Sequence, residues 1–151
     1  MFMKDCLFCK IVNGVLDSAK VWEDKNFLAI LDIMPNTKGM TLVVTKRHYD
    51  SDAFAMPQKV YTGAMVAARK VARLLEKKLP VGRIALVMEG MGVNHVHIKL
   101  YPLHGVGKVF KEMWASDKVF FDKYEGYLST LTGEKVAMKD LQKLAKRIRG
   151  K

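Results

Sequence analysis

In Asn94-His95-Val96-His97-Ile98-Lys99-Leu100, polar and apolar residues alternate. With a strand period of two, His95, His97 and Lys99 share one face, while Val96, Ile98 and Leu100 face the core. A lone histidine on a strand is usually an ordinary, partly buried residue. Two beside a lysine are less easily dismissed, because clustered positive groups repel unless an anion or an acid balances them. Spacing alone leaves both readings open, a functional anion site and a packed polar stripe.

The only two cysteines form a second candidate, Cys6-x-x-Cys9. A structural disulfide fits poorly with a reducing compartment. Thioredoxin-like redox chemistry expects the pair after a strand and at a helix start. Half of a zinc site is the third choice, and it needs two further ligands from elsewhere.

These residues must be positioned by a small set of elements. Cys6 to Val12 reads as a short helix ending at Asn13-Gly14, where glycine suits the left-handed closing position. Strand-like runs follow at Lys20–Glu23, Asn26–Ile33 and the β-branched Met40–Thr45. Pro57 opens one long helix to about Leu79, with Val60, Ala64, Ala67, Val71 and Leu74 on its apolar face. Arg83–Met88 and Asn94–Tyr101 read as two more strands, and the chain turns irregular after Pro102. Val136–Arg149 reads as a closing amphipathic helix. The sum is an α+β domain, a largely antiparallel sheet with helices packed on it.

The chain of 151 residues suits one domain, half its residues are apolar, and 27% are charged. No apolar run reaches the roughly 18 residues of a membrane span. Met1 to Cys6 does not read as a signal peptide, so the cytoplasm is the expected compartment. The net charge of +11 attracts anions without choosing among nucleotides, nucleic acid and acidic lipid. Part of it lies between Lys135 and Lys151, a run that reads as a solvated helix face or as an anion-binding tail.

Four segments in order carry a resemblance: Cys6-Leu-Phe-Cys-Lys-Ile11, Leu31-Asp-Ile-Met-Pro35, Gly39-Met-Thr-Leu-Val-Val-Thr-Lys-Arg-His48 and His95-Val-His-Ile-Lys99. Together they resemble the histidine-triad (HIT) family of nucleotide hydrolases and transferases, over roughly residues 5 to 104. The resemblance implies a five-stranded antiparallel sheet with one long helix, often in a homodimer. It places a HIT-like domain at 1–104 and makes 105–151 a C-terminal extension packed on that domain. It also implies attack on the α-phosphate of a nucleoside phosphate derivative, such as a dinucleoside polyphosphate or phosphoramidate. His97 aligns with the family nucleophile, with His95 and Lys99 beside it. Imidazole has a reference pKa of about 6.5, so a good fraction is neutral and nucleophilic at physiological pH. A nucleotidyl-histidine intermediate splits one hard hydrolysis into two easier steps, and no catalytic metal is required. Asp32 matches the acid that takes the ribose hydroxyls, against a plain turn acid as the alternative. Phe8, Ile11, Ile30, Ile33 and Leu42 match an apolar slot for the base, against ordinary core.

Some bacterial members bind zinc through an N-terminal Cys-x-x-Cys, a histidine after a Lys-Arg pair, and the first triad histidine. Here those positions are Cys6, Cys9, His48 and His95, a Cys2His2 set suited to structural zinc. Three departures from the family pattern stand out: Met40 where a histidine is usual, Lys99 as third triad residue, and a short 89–94 loop lacking Gln or Ser. They keep a rival open, a non-catalytic nucleotide-binding or sensor protein. A third reading, a nucleic-acid-acting protein, predicts binding that weakens steeply with salt. Tyr124, Tyr127, Ser129 and Thr130 could reach back over the site, or form an aromatic lap on the sheet.

Overall fold

The computed structural model describes residues 3–129 and 131–150. Five strands form one antiparallel sheet in the order β1-β2-β3-β5-β4: β1 Lys20–Glu23, β2 Phe27–Leu31, β3 Thr41–Thr45, β4 Val81–Val87 and β5 His97–His104. Three helices accompany it, α1 Leu7–Val12, α2 Gln58–Lys78 and α3 Met138–Arg149. Among the described residues, no helix is long and apolar enough to cross a membrane.

Helix α2 forms because Pro57 presets its first turn and the following residues are mostly good helix formers. Ala64, Ala67, Ala68, Val71 and Leu75 are buried against the sheet, with Leu141, Ala145 and Ile148 of α3 in the same core. Leu75 completes this face, with the expected Leu74 partly buried against the same core. Eleven residues at 3.6 per turn bring position 75 back over Ala64 to within about 20°. Val60 is drawn instead to a small cluster with Ala53, Met56 and Val96, so Val96 does not join Ile98 and Leu100 in the main core.

The sheet's other face carries a second core of Phe8, Leu28, Ile30, Met40, Leu42, Val44 and Tyr101. Burial on both faces explains why β2 and β3 are continuous apolar or β-branched runs without polar alternation. Side chains stop β2 short of the expected span at both ends. Asp24 Oδ1 accepts from the amides of Asn26 and Phe27, and Asp32 Oδ1 accepts from Met34 N, each turning the chain.

β5 begins and ends later than its alternating pattern predicts. Before it, Val96 N donates to Tyr49 O, so residues 94–96 have left the regular ladder. At its end the strand continues through Pro102. The Pro102 carbonyl accepts from Thr37 Oγ at 3.0 Å, which shows that this residue faces the β3 side, where the ladder stops at Leu100. The proline's missing N–H therefore costs no sheet bond. Gly82 allows the opposite strand to pass under residue 107, since a Cβ there would lie 2.2 Å from the Gly107 carbonyl carbon.

Candidate active site and metal centre

Cys6 and Cys9 hang from the start of α1, His48 follows β3, and His95 precedes β5. Folding brings their ligand atoms within 4.8 Å of one another. Cys6 Sγ is 3.3 Å from His95 Nδ1, Cys9 Sγ is 3.7 Å from the same atom, and Cys9 Sγ is 3.5 Å from His48 Nδ1. Sulfur and nitrogen ligands on one tetrahedral zinc stand about 3.5 Å apart, given bonds of about 2.3 and 2.0 Å. The donor set therefore fits zinc in number, type and spacing.

The surroundings agree with that fit. His95 Nε2 donates to the Thr45 carbonyl at 2.8 Å, which leaves the Nδ1 lone pair facing the two sulfurs. Burial pushes the His95 pKa down to about 4, so the ring is neutral and available as a ligand. Burial raises the metal-free Cys9 thiol above its usual range, so zinc would have to displace its proton on binding. His48 Nε2 is buried 3.4 Å from Asp50 Oδ1 and makes no hydrogen bond.

His97 opens a separate arrangement on the same sheet face. Strand register sets its neighbours in rows: Leu28 and Val44 lie level with His97, then Ile30, Leu42 and Val87 with Lys99. Met40 and Tyr101 come next, with Asp32 tied to Met40 by a backbone bond. Phe8 packs its ring 5.1 Å from His97 and edge-on to His95, joining the two histidine sites. His97 Nδ1 donates to its neighbour's carbonyl, His95 O, at 2.7 Å. Nε2 then carries the lone pair, and nothing among the described residues hydrogen-bonds it. Burial lowers the His97 pKa, and the Lys99 charge adds to that.

Lys99 is not free on this face. Its Nζ donates to the Ser129 carbonyl at 2.7 Å and to Ser129 Oγ at 3.1 Å, and lies 3.7 Å from Glu89 Oε2. Glu89 accepts from Ser129 Oγ and, at 2.8 Å, from Tyr124 OH. Burial alone would raise the Glu89 pKa. The hydrogen bonds from Ser129 and Tyr124 and the Lys99 charge outweigh it and hold the carboxylate below its ordinary range. The acid that balances the cationic stripe is thus Glu89, at the end of β4. Its only sequence signal was the need for some balancing acid, because its partners are 10, 35 and 40 residues away.

Of the apolar residues expected to form a slot, Phe8, Ile11, Ile30 and Leu42 come together. Ile33 does not: it is 40% exposed, past the turn that Asp32 closes, and its carbonyl accepts from Val136 N. Asp32 does cap that turn through Met34, yet its charge still reaches His97 and Tyr101. His104 faces the Lys38 carbonyl, away from the histidine face. Ser129 does reach back over the site, while Thr130 lies outside the described residues.

A profile of the HIT domain matches residues 13–106. The Bacillus subtilis protein named hit is 35% identical over 127 residues, 81% of this chain and 85% of that protein. An adenosine 5'-monophosphoramidase of Candida albicans is 28% identical over 148 residues, 92% of this chain and 96% of that one. Among solved structures, a zinc-bound histidine triad family protein of Mycobacterium smegmatis aligns at a TM-score of 0.67 and 25% identity. That alignment covers 97% of this chain and 91% of the other.

Proposed function

This chain belongs to the HIT domain family, and from that premise we propose that it hydrolyses nucleoside phosphate derivatives through a nucleotidyl-histidine intermediate on His97. The observation that carries the reading is the bond from His97 Nδ1 to the His95 carbonyl, which leaves Nε2 as a neutral nucleophile with no hydrogen-bond partner among the described residues. Nε2 attacks the α-phosphorus, and an N–P bond forms as the bond to the leaving group breaks. The leaving group departs with its electron pair and takes up a proton. Water then attacks the same phosphorus, releasing the nucleoside monophosphate and returning the electron pair to Nε2. Through both steps the His95 carbonyl holds the Nδ1 proton and steadies the charge that develops on the ring.

In this reading Asp32 takes the ribose hydroxyls, and Phe8, Ile11, Ile30 and Leu42 line the base slot. Lys99 supplies a positive field to the phosphate. Substrates are dinucleoside polyphosphates or nucleoside phosphoramidates, a choice supported by the named activity of the Candida albicans relative. Cys6, Cys9, His48 and His95 would hold zinc, which when bound pins the α1 segment to the sheet. The exposed Met65 and Val66 of α2 beside Leu86 on the edge strand β4 support a homodimer. Trapping an adduct on His97 tests the catalytic reading.

One observation favours a second reading. Two of the three donors of Lys99 are taken by Ser129, as they would be in a nucleotide sensor that binds without turnover. A sensor would bind nucleotide and form no adduct.

A further inference from the structure

Residues 105–137 contain no helix or strand among those described, and most of their side chains are exposed. Phe121 stacks on Tyr127 and Tyr124 meets Tyr127 edge-on, yet Tyr127 and Leu128 remain 51% and 57% exposed. Ser129 is 2% exposed. Among the described residues of this stretch, Ser129 is the one fully buried point.

That point is the His97 face of the sheet. The Ser129 carbonyl accepts from Lys99 Nζ at 2.7 Å and from Tyr101 OH at 3.3 Å, and both donors follow His97 at strand spacing. From the other side, Ser129 Oγ and Tyr124 OH each donate to one oxygen of Glu89. Glu89 is itself held by its loop. A Cβ at Gly90 would meet the Ser51 carbonyl oxygen at 2.6 Å, and Asn94 Oδ1 accepts from Ser51 N. The anchor thus sits on β5 and on the loop after β4, and beyond Ser129 the chain is tied again where Gly133 N and Val136 N donate to the Met34 and Ile33 carbonyls.

We propose that Glu89 is a positioning residue acting through Lys99: the pair fastens residues 124–129 over the Lys99–Tyr101 part of the His97 face and narrows the site to small leaving groups. This rests on the reading of the face as a nucleotide site. Glu89→Gln leaves the Lys99 ammonium buried without its counter-ion, and turns one of the two oxygens that accept from Tyr124 and Ser129 into a donor. The stretch then loosens locally while the sheet core stays intact.

The test compares wild type, Glu89→Gln and Ser129→Ala, the last removing the hydroxyl's bonds with Lys99 and Glu89 and keeping the carbonyl. Amide hydrogen exchange of residues 124–129 is measured beside kcat/KM for adenosine 5'-phosphoramidate and for diadenosine tetraphosphate. In Glu89→Gln, exchange should speed at least tenfold, and the preference for phosphoramidate should fall at least fivefold. Ser129→Ala should move both in the same direction by less. In a Lys99→Met background, Glu89→Gln should add little, since both act on one anchor. Unchanged exchange in both single variants overturns the proposal, and so does a full additive effect on the Lys99→Met background. Faster exchange with an unchanged preference overturns the narrowing. If wild type turns over neither substrate, the hydrolase reading and the narrowing fail, and exchange alone decides whether Glu89 fastens the stretch.

Discussion

His97 Nδ1 lies 2.7 Å from the carbonyl oxygen of His95, and that contact decides which nitrogen of the ring is free to react. A carbonyl only accepts, so Nδ1 carries the proton and Nε2 the lone pair. Burial lowers the pKa of the ring, and the neighbouring Lys99 charge lowers it further. The neutral nucleophile therefore persists to lower pH than an ordinary imidazole would allow. The acid limb of kcat/KM should have its midpoint below the usual value of about 6.5. A midpoint above that value would contradict the assignment of His97 as a buried, neutral base.

The Cys6, Cys9, His48 and His95 cluster predicts one zinc per chain by elemental analysis. Chelation, or His48→Ala, should lower the melting temperature by roughly 5–15 °C, corresponding to a few kcal/mol in a chain of this size. The sheet has its own apolar core, so the protein should stay folded without the ion, unlike a zinc finger. A chain purified in zinc-supplemented medium with no metal, and indifferent to chelators, would remove the metal centre.

In the metal-free protein the same histidine makes stability depend on pH. His95 falls from about 6.5 unfolded to about 4 folded, so below 6.5 the unfolded state binds the extra proton. The stabilisation of the neutral ring is present above pH 6.5 and is lost as pH drops through about 4. The loss should amount to roughly 3 kcal/mol, read from urea midpoints across that window. Replacing His95 with Asn should flatten the dependence. An equally steep curve in that variant would assign it to other groups.

Asp32 closes the turn at Met34, and its charge also acts on His97. Asp32→Asn separates these roles, because asparagine keeps the turn acceptor and loses the charge. Affinity for adenosine monophosphate should fall about 10-fold or more, the scale of losing a hydrogen bond to a charged group. The melting temperature should barely change. Unchanged affinity would leave Asp32 as a turn residue only.

Much of this arrangement was legible before the coordinates. Helix α2 announced itself by its 3.6-residue period, and Thr41–Thr45 by a β-branched run with no polar alternation. What escaped the sequence were relations settled by partners far along the chain. Pro102 read as a strand end, yet β5 outlives its β3 partner and accommodates it. Ile33 was matched to the slot by family resemblance, and the turn at Asp32 sets it apart from the other four. Glu89 counted only as a missing Gln or Ser, and its pairing with Lys99 and Ser129 needed the folded sheet. The metal cluster was readable only as a set, since its four residues span 89 positions.

The central claim is that His97 Nε2 becomes covalently bonded to a nucleotide. Intact-mass analysis after mixing the protein with adenosine 5'-phosphoramidate, beside a His97→Ala control, tests it most directly. The account predicts an adenylyl adduct or release of adenosine monophosphate in the wild type and neither in the control. Nucleotide binding without adduct or product would contradict it, and would make the fold a nucleotide sensor.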